Sequence, residues 1–321
     1  MSETVSAQIT SMPVPRIAQR GRRRLPSVDR LTSLLLIAPS IIAIAVFVYG
    51  FIGFTAFASL TKWDTLSPDF TFVGLRNYAR LFSTTRFQID LRNTVTFTIL
   101  FLVLCLSLGF ALAVLLDRKI RGEGVFRSIF LFPLALSFIV TGVVWRWLLN
   151  PGSAQLGSTG VNLLLDLARL GFLKTGWYTD PKIGIKAVVV AATWQLSGYV
   201  MAMYLAGLRG IPEELREAAL VDGASEVQIY RHIIVPLLHP ITLGAIIILG
   251  HISLKIFDLV VAMTGPGPGF SSDVPAFFMF DTTFRGNYFA QGAGIAVILL
   301  IMVAVLIIPY LVFNLRTETQ R

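Results

Sequence analysis

The chain has 321 residues, of which 55% are hydrophobic and only 14% are charged, and its mean hydropathy is +0.74. Because soluble domains are about 25% charged, this composition excludes a disordered or fibrous chain and argues against a single soluble domain. The formal net charge of +9 is typical of basic loops beside a membrane, and we expect no nucleic acid partner.

The N-terminal tail, residues 1–30, contains six arginines and three prolines, and we predict that it is disordered and cytoplasmic. An uncharged run of 31 residues, Leu31 to Thr61, follows it. That run is far longer than the apolar core of a secretion signal, which is about 7–15 residues. We therefore predict a retained first membrane helix.

Five further uncharged runs of 18 to 30 residues follow along the chain. A membrane helix needs about 20 residues, and none of these runs alternates as the strands of a membrane barrel do. We predict an all-α membrane protein with a membrane domain at residues 31–315 and a cytoplasmic tail at residues 316–321. Its six predicted spans lie at residues 33–56, 93–116, 128–147, 187–208, 236–258 and 291–314.

Basic residues indicate the orientation of these spans. On the side that holds both chain ends, about one residue in five is Lys or Arg, against about one in nine on the other side. The N-terminal tail and the loop at residues 117–127 contribute most of this excess. Both termini are therefore predicted to be cytoplasmic, which agrees with an even number of spans.

The loop at residues 209–236, between the fourth and fifth spans, is unusually acidic for a cytoplasmic loop. Pro212 suits a helix start, and Glu213 and Glu214 suit the positive end of the helix dipole. Asp222-Gly223 should end this helix, because glycine tolerates the left-handed conformation, and a second helix can start at Ser225. Charge alone leaves two interpretations open, an ordinary solvated loop or a helix that docks on a basic groove of a partner.

Glu217-Ala218-Ala219, then Gly223, Ile233 and Pro236, resembles the EAA loop of ABC importer permeases, with the pattern E-A-A-x3-G-x9-I-x-L-P. Val235 stands where that pattern has Leu. The resemblance implies an ABC importer type I permease fold and a coupling helix seated in a cleft of an ATPase subunit. The residues it implies for ATPase coupling are Glu213, Glu214, Arg216, Glu217, Ala218, Ala219, Asp222, Gly223 and Pro236.

Other segments are similar to the maltose-type, carbohydrate-importing branch of these permeases. They are Phe72–Tyr78, Asn93-Thr94, the Trp145–Gly152 region, Lys255–Asp258 and Thr264–Gly269. Pro266 replaces a glycine that is usual in the last segment. The resemblance covers residues 30–315 and implies a permease for sugars, with di- or oligosaccharides as the expected class.

The resemblance also implies the partners and the location of the chain. We expect a second permease subunit in a heterodimer, two ATPase subunits, an external substrate-binding protein and the lipid bilayer of a prokaryotic inner membrane. ATP and Mg are expected on the ATPase partner, with no cofactor on this chain, which would not be an enzyme. Alternating access would couple the closure of the ATPase dimer to reorientation of the spans.

Polar and aromatic side chains inside the spans are candidates for the substrate pathway, because their burial in lipid is costly. Tryptophan and tyrosine rings suit the apolar faces of sugars, and glutamine can bond hydroxyl groups. Each candidate also has a packing role as its alternative interpretation. The candidates are Ser137, Phe138, Trp194, Gln195, Ser197, Tyr199, His251 and Lys255, with His251, Lys255 and Asp258 spaced to form one helical stripe.

Several chemical motifs are absent from the sequence. It has no Gly-Lys dipeptide, hence no Walker A loop, and no G-x-S-x-G elbow. Its three histidines have no zinc spacing, so we predict no catalytic residues and no metal site. Alternatives that remain are a permease for another solute such as glycerol phosphate, an ion-driven secondary transporter and a membrane-embedded enzyme.

Overall fold

The computed structural model describes residues 27–118, 121–153, 155 and 157–318. The predicted N-terminal tail lies outside these residues as far as residue 26, and so do residues 319–321 of the predicted C-terminal tail. The chain divides into two compact units, Met1–Ile52 and Gly53–Arg321. Across the described residues the structure is helical, with two isolated β-bridges and no strand.

Fifteen α-helices form the described part of the chain. In order they are α1 (Ser27–Ile44), α2 (Phe51–Ala58), α3 (Arg76–Ser83), α4 (Thr85–Asp117), α5 (Glu123–Leu131), α6 (Phe138–Leu148), α7 (Gly160–Leu167), α8 (Gly184–Arg209), α9 (Glu213–Val221), α10 (Glu226–Ile229), α11 (Val235–Leu237), α12 (His239–Leu254), α13 (Asp258–Met263), α14 (Pro275–Phe280) and α15 (Phe289–Glu318).

Four helical stretches are long and apolar enough to cross a membrane, namely Leu35–Ala58, Thr85–Asp117, Gly184–Arg209 and Phe289–Val312. They contain the first, second, fourth and sixth predicted spans almost entirely. The second begins at Thr85, eight residues before the predicted start at residue 93. The sixth is part of α15, which continues to Glu318 and so includes the first residues of the predicted C-terminal tail.

The third and fifth predicted spans are not single helices. Glu123–Ala135 and Phe138–Leu148 meet at 100°, and Glu226–Leu237 and His239–Leu254 meet at 62°. A proline lies near each bend, at Pro133 and Pro240, where it removes a backbone donor that a continuous helix would use. The described residues therefore contain four candidate spans, or up to six if each bent pair is counted as one.

Helices α4 and α8 pack together and form the centre of the second unit. Phe97 and Phe101 of α4 are fully buried and stack with ring centroids 5.3 Å apart. Gly109 allows the close approach, because a Cβ there would lie 2.6 Å from Cγ1 of Val200. Other helices of the unit, including α5, α6 and α12, pack against this pair.

Arg86, in the first turns of α4, ties this helix to the segment that precedes α15. Its Nε donates to Asp273 at 2.6 Å and its Nη1 to Asp281 at 2.8 Å. Its guanidinium lies 4.9 Å and 4.5 Å from the ring centroids of Phe270 and Phe278. Burial raises the pKa of Asp273, and the charge of Arg86 acts in the opposite direction.

Arg86→Leu should destabilise the protein by about 3–5 kcal/mol, because it leaves the fully buried Asp273 without its cation. The matched control is Arg92→Leu on the same helix, where the side chain is exposed and the expected change is within about 0.5 kcal/mol. Thermal unfolding of the purified full chain in detergent measures both. Equal midpoints for the two variants would show that the Arg86 contacts contribute no net stability.

Candidate functional site

The predicted coupling helix is α9, and its two ends are defined by local sequence signals. It begins after Pro212, with Glu213 and Glu214 in the first turn. It ends in a Schellman motif, in which Gly223 N–H donates to Leu220 C=O at 3.0 Å and Ala224 N–H to Ala219 C=O at 2.9 Å. Gly223 has φ +81°, as the left-handed cap requires. The prediction that Asp222-Gly223 ends the helix is confirmed.

The second short helix, α10, begins at Glu226, after Ser225. Ser225 and Gln228 form a capping box, in which the Ser225 N–H donates to Gln228 Oε1 at 2.7 Å. A π-helical turn at Tyr230–Ile234 then leads into α11, which contains Pro236. The predicted coupling residues are therefore brought together in one helical hairpin, except Pro236, which lies beyond it.

Arg216 links the two helices of this hairpin. Its Nη2 lies 3.0 Å from Glu226 Oε2, and its guanidinium lies 5.5 Å from the centre of the Tyr230 ring. The hydrogen bond to Glu226 raises the pKa of Arg216, so this cation is charged at every physiological pH. The predicted coupling residue Arg216 therefore has a structural contact within the loop.

Arg216→Ala should loosen the hairpin by about 1 kcal/mol, since it removes a surface ion pair and a cation–π contact. Amide hydrogen exchange at residues 222–229 should then become about fivefold faster. Arg231→Ala, at an exposed arginine in the π-helical turn, is the control and should leave the exchange unchanged. Unchanged exchange in Arg216→Ala as well would mean that the turn and cap signals alone hold the hairpin.

The exposed surface of the hairpin is both acidic and apolar. Glu213, Glu214, Glu217 and Ala218 are exposed, and the three acids form no ion pair with another described residue. Exposed apolar side chains lie among them, which sequence reasoning missed, although their spacing around the acids could have indicated a docking face. They are Leu215, Leu220, Val221 and Val227.

A cleft of about 250 Å³ lies behind this hairpin. Asp117 at the end of α4, Arg209 at the end of α8 and Glu213 of α9 contribute to its walls. Arg209 is held in turn by Glu123 of α5, at 2.7 Å. The hairpin and the ends of α4 and α8 therefore border the same cleft.

The bend in the third predicted span is supported by Gln195 of α8. Leu136 is extended at the bend, with ψ 147°, and Gln195 Nε2 donates to its carbonyl oxygen at 2.8 Å. Ser137 caps α6 by accepting from Val140 N–H at 3.3 Å. A carbonyl released by a bend needs such a partner in a membrane. The structure gives the candidate Gln195 a supporting role at the bend, with its Oε1 left without a partner in the described residues.

Two tryptophans meet where α6 and α8 face each other. The ring centroids of Trp145 and Trp194 are 5.9 Å apart and the rings are inclined by 66°. Trp194 is 39% exposed, so part of its ring is available for contact. The candidates Ser197 and Tyr199 on α8 are half-buried. Trp145 lies in one of the segments that resemble the maltose-type permeases, but it is not among the candidates for the substrate pathway.

The fifth predicted span breaks a second time after Leu254. Lys255 (φ −116°) and Phe257 (φ −131°) are not helical, and α13 starts only at Asp258. The prediction that His251, Lys255 and Asp258 share one helical stripe is therefore wrong, because the chain leaves the helix between them. Lys255 is exposed and His251 is half-buried.

Helix α6, in the broken third predicted span, packs on α13, which begins at the last residue of the fifth predicted span. Gly142 of α6 allows the contact, since a Cβ there would lie 2.7 Å from the Cβ of Ala262. Phe138, at the start of α6, is half-buried. Discontinuous membrane helices expose backbone donors and acceptors at their ends, which is how transporters build binding sites in the membrane.

Comparison with known proteins points to one family. Residues 105–317 match the model of the family described as binding-protein-dependent transport system inner membrane component. A probable ABC transporter permease of Pyrococcus horikoshii is 43% identical over 298 residues, which are 93% of this chain and 100% of the relative. A xylose/arabinose import permease of Haloferax volcanii is 36% identical over 86% of this chain and 85% of its own length.

A solved structure has the same fold. It is described as a bacterial alginate ABC transporter in complex with an alginate pentasaccharide-bound periplasmic protein. The TM-score is 0.72 at 20% identity, and the match covers 87% of this chain and 93% of that chain.

Proposed function

This chain belongs to the family of binding-protein-dependent transport system inner membrane components, and on that premise we propose that it is the permease subunit of an ATP-driven sugar importer. The chain is a multi-pass membrane protein. The observation that carries the proposal is the capped acidic hairpin of α9 and α10, whose acidic side chains are exposed to solvent. A transporter that draws its energy from a separate ATPase needs such a docking surface.

The proposed topology has six spans, each bent pair counting as one, with both termini in the cytoplasm of a prokaryote. Two observations support it. The bent pairs pass the length and hydropathy requirements of a span together. The 26-residue helix α8 separates the hairpin from α7, which places the two at opposite ends of a membrane-spanning helix.

The proposed coupling partner is an ATPase dimer that carries ATP and Mg. Glu213, Glu214, Glu217, Ala218 and Ala219 would contact it, and the Schellman cap at Gly223 would hold this surface in position. When the ATPase dimer closes, the hairpin follows, and the ends of α4 and α8 beside the cleft move with it. A second permease subunit and an external binding protein would complete the assembly, and the solved structure of the same fold was determined with a periplasmic protein.

The proposed sugar path runs along the face of α8 that meets the broken third and fifth spans. Trp194 and Trp145 would contact the apolar faces of sugar rings. Phe138, Ser197, Tyr199, His251 and Lys255 are the further candidates along it. Gln195 and Ser137 would act indirectly, by stabilising the bend of the third span through their hydrogen bonds to Leu136 and Val140. The expected cargo is a di- or oligosaccharide; the relative from Haloferax is described as a xylose/arabinose permease.

Trp194→Ala should lower sugar uptake about tenfold at low substrate concentration, because it removes a partly exposed ring worth roughly 1–2 kcal/mol of contact. Trp147→Ala is the matched control: Trp147 lies two residues from Trp145 on α6, is 71% exposed and forms no ring pair in the described residues. Uptake of radiolabelled di- and oligosaccharides by cells that express the complete transporter provides the measurement. Equal uptake by both variants would remove the tryptophan pair from the path.

The same uptake assay separates the rival functions. Glycerol phosphate that competes with the labelled sugar would favour the phosphate-ester alternative, for which Lys255 is the one exposed cation among the candidates. Uptake that survives ATP depletion and collapses with an ionophore would contradict the ATP-driven account and favour an ion-driven carrier.

A further inference from the structure

The segment between α6 and α8 carries an apolar surface that the transport function leaves unexplained. Leu167 is 74% exposed and Phe172 is 80% exposed, and four leucines adjoin them. We refer to these six residues as the apolar ridge; they are Leu163, Leu164, Leu167, Leu170, Phe172 and Leu173. Their spacing places one stripe along α7 and continues it into the following turn.

The ridge is held in place by contacts on its opposite side. Asn162 Nδ2 donates to Thr175 C=O at 2.9 Å, and Trp177 Nε1 donates to Asn162 Oδ1 at 2.8 Å. Val161 and Trp177 pack against the main core. The segment is thus folded, with Val161 and Trp177 packed against the core and the leucines of the ridge exposed on the opposite side.

The start of α7 places the apolar ridge next to the end of α6, one of the helices of the third predicted span. Gly160 has φ +53°, and a Cβ there would overlap the carbonyl oxygen of Leu148, the last residue of α6. Helix α7 therefore begins against the final turn of a membrane-spanning segment. Trp147 in that turn is exposed, which is typical of tryptophans at the level of lipid headgroups.

Charge also distinguishes this segment. Residues 146–186 contain five Lys or Arg and two acids, although the loop is on the side where basic residues are expected to be scarce. One acid, Asp166, is paired with Lys174 at 2.8 Å, and Arg169 follows the helix. Cations beside an apolar stripe complement a surface of anionic headgroups over acyl chains.

From the position of α7 beside the last turn of α6, its exposed leucines and the excess of cations in this loop, we infer that the apolar ridge lies in the membrane interface, with Leu167 and Phe172 among acyl chains. The segment is then a lipid anchor on the face of the membrane opposite to the coupling hairpin. It fixes the outer end of α6, and through Gly160 the bent third span, at a set depth. This inference requires neither a sugar substrate nor an ATPase partner.

Site-directed fluorescence in lipid nanodiscs tests the anchor. The full chain with Cys105→Ala, whose native thiol is fully buried, is given Leu167→Cys or Phe172→Cys and labelled with bimane. The nanodiscs contain equimolar phosphatidylcholine and phosphatidylglycerol, with acyl chains that are either brominated or not. Thr179→Cys, exposed on the same loop but outside the ridge, is the control.

Brominated chains should reduce the fluorescence of the labels at positions 167 and 172 by roughly twofold or more, and leave the label at 179 unchanged. Iodide in the buffer should quench only the label at 179. Quenching of the ridge labels by iodide would place the ridge in water, and protection from both quenchers would place it under a protein partner; either result overturns the inference. If a variant fails to accumulate, Leu163→Cys and Leu173→Cys report on the same ridge.

Discussion

Gly223→Pro should lower sugar uptake at least about tenfold, while the chain remains in the membrane and ATP hydrolysis by the complex continues. Proline fixes φ near −65°, whereas Gly223 adopts +81°. Proline also removes the N–H that donates to Leu220 C=O at 3.0 Å. The Schellman cap would then be lost, and the acidic surface of α9 would no longer be held in one orientation.

The control for this variant is Gly223→Asn. No atom lies within 4 Å of a Cβ at this position, so the conformation, and not space, limits the substitution. Asparagine enters the left-handed region at a smaller cost than most residues, and uptake should stay within about twofold of wild type. Wild-type uptake in Gly223→Pro would refute the role of the hairpin in coupling.

Glu217→Lys tests the same surface through charge. Glu217 is exposed, so the substitution should leave the fold intact and reverse the charge presented to the proposed ATPase partner. Arg231→Glu, a charge reversal at another exposed residue of the same loop, serves as the control. Loss of uptake with continued ATP hydrolysis only in Glu217→Lys is the expected pattern, and wild-type uptake in that variant would contradict the coupling role.

The second large effect is expected on stability. Gly198→Val should lower the thermal midpoint of the purified chain by about 5–10 °C, equivalent to roughly 3 kcal/mol. A Cβ at Gly198 would overlap the carbonyl oxygen of Phe130 in α5, and backbone cannot yield as a flexible side chain does. Helix α5 would have to move away from α8, and the bend at Leu136 would lose its support from Gln195.

Gly244→Val is the matched control, because Gly244 also lies inside a membrane helix. A Cβ there meets only the Cε of Met203, at 3.8 Å, which is ordinary contact distance. Its midpoint should therefore stay within about 2–3 °C of wild type. Similar losses in both variants would mean that valine acts through helix propensity alone, and that α5 and α8 do not need the close approach.

The hairpin of α9 and α10 was predictable from sequence because its signals are local. The first turn of α9, the glycine cap and the start at Ser225 each depend on residues within a few positions of one another. Such signals act without help from distant parts of the chain. The family resemblance added the proposed coupling role, which no local signal contains.

The breaks in the third and fifth spans were not predictable in the same way. An uncharged apolar run predicts one continuous helix. The extended conformation of Leu136 is stabilised by Gln195, 59 residues away, whose side-chain amide donates a hydrogen bond to the Leu136 carbonyl oxygen. Arg86 was missed for a similar reason, since its partner Asp273 lies 187 residues along the chain. Hydropathy identifies which segments enter the membrane, but tertiary partners decide where those segments bend.

The most direct test of the proposed function is affinity purification of the full chain from membranes in mild detergent, followed by mass spectrometry. The account predicts that an ATPase with a Walker motif and a second permease subunit copurify with it. A chain that purifies alone or only with copies of itself, even after crosslinking, would contradict the account.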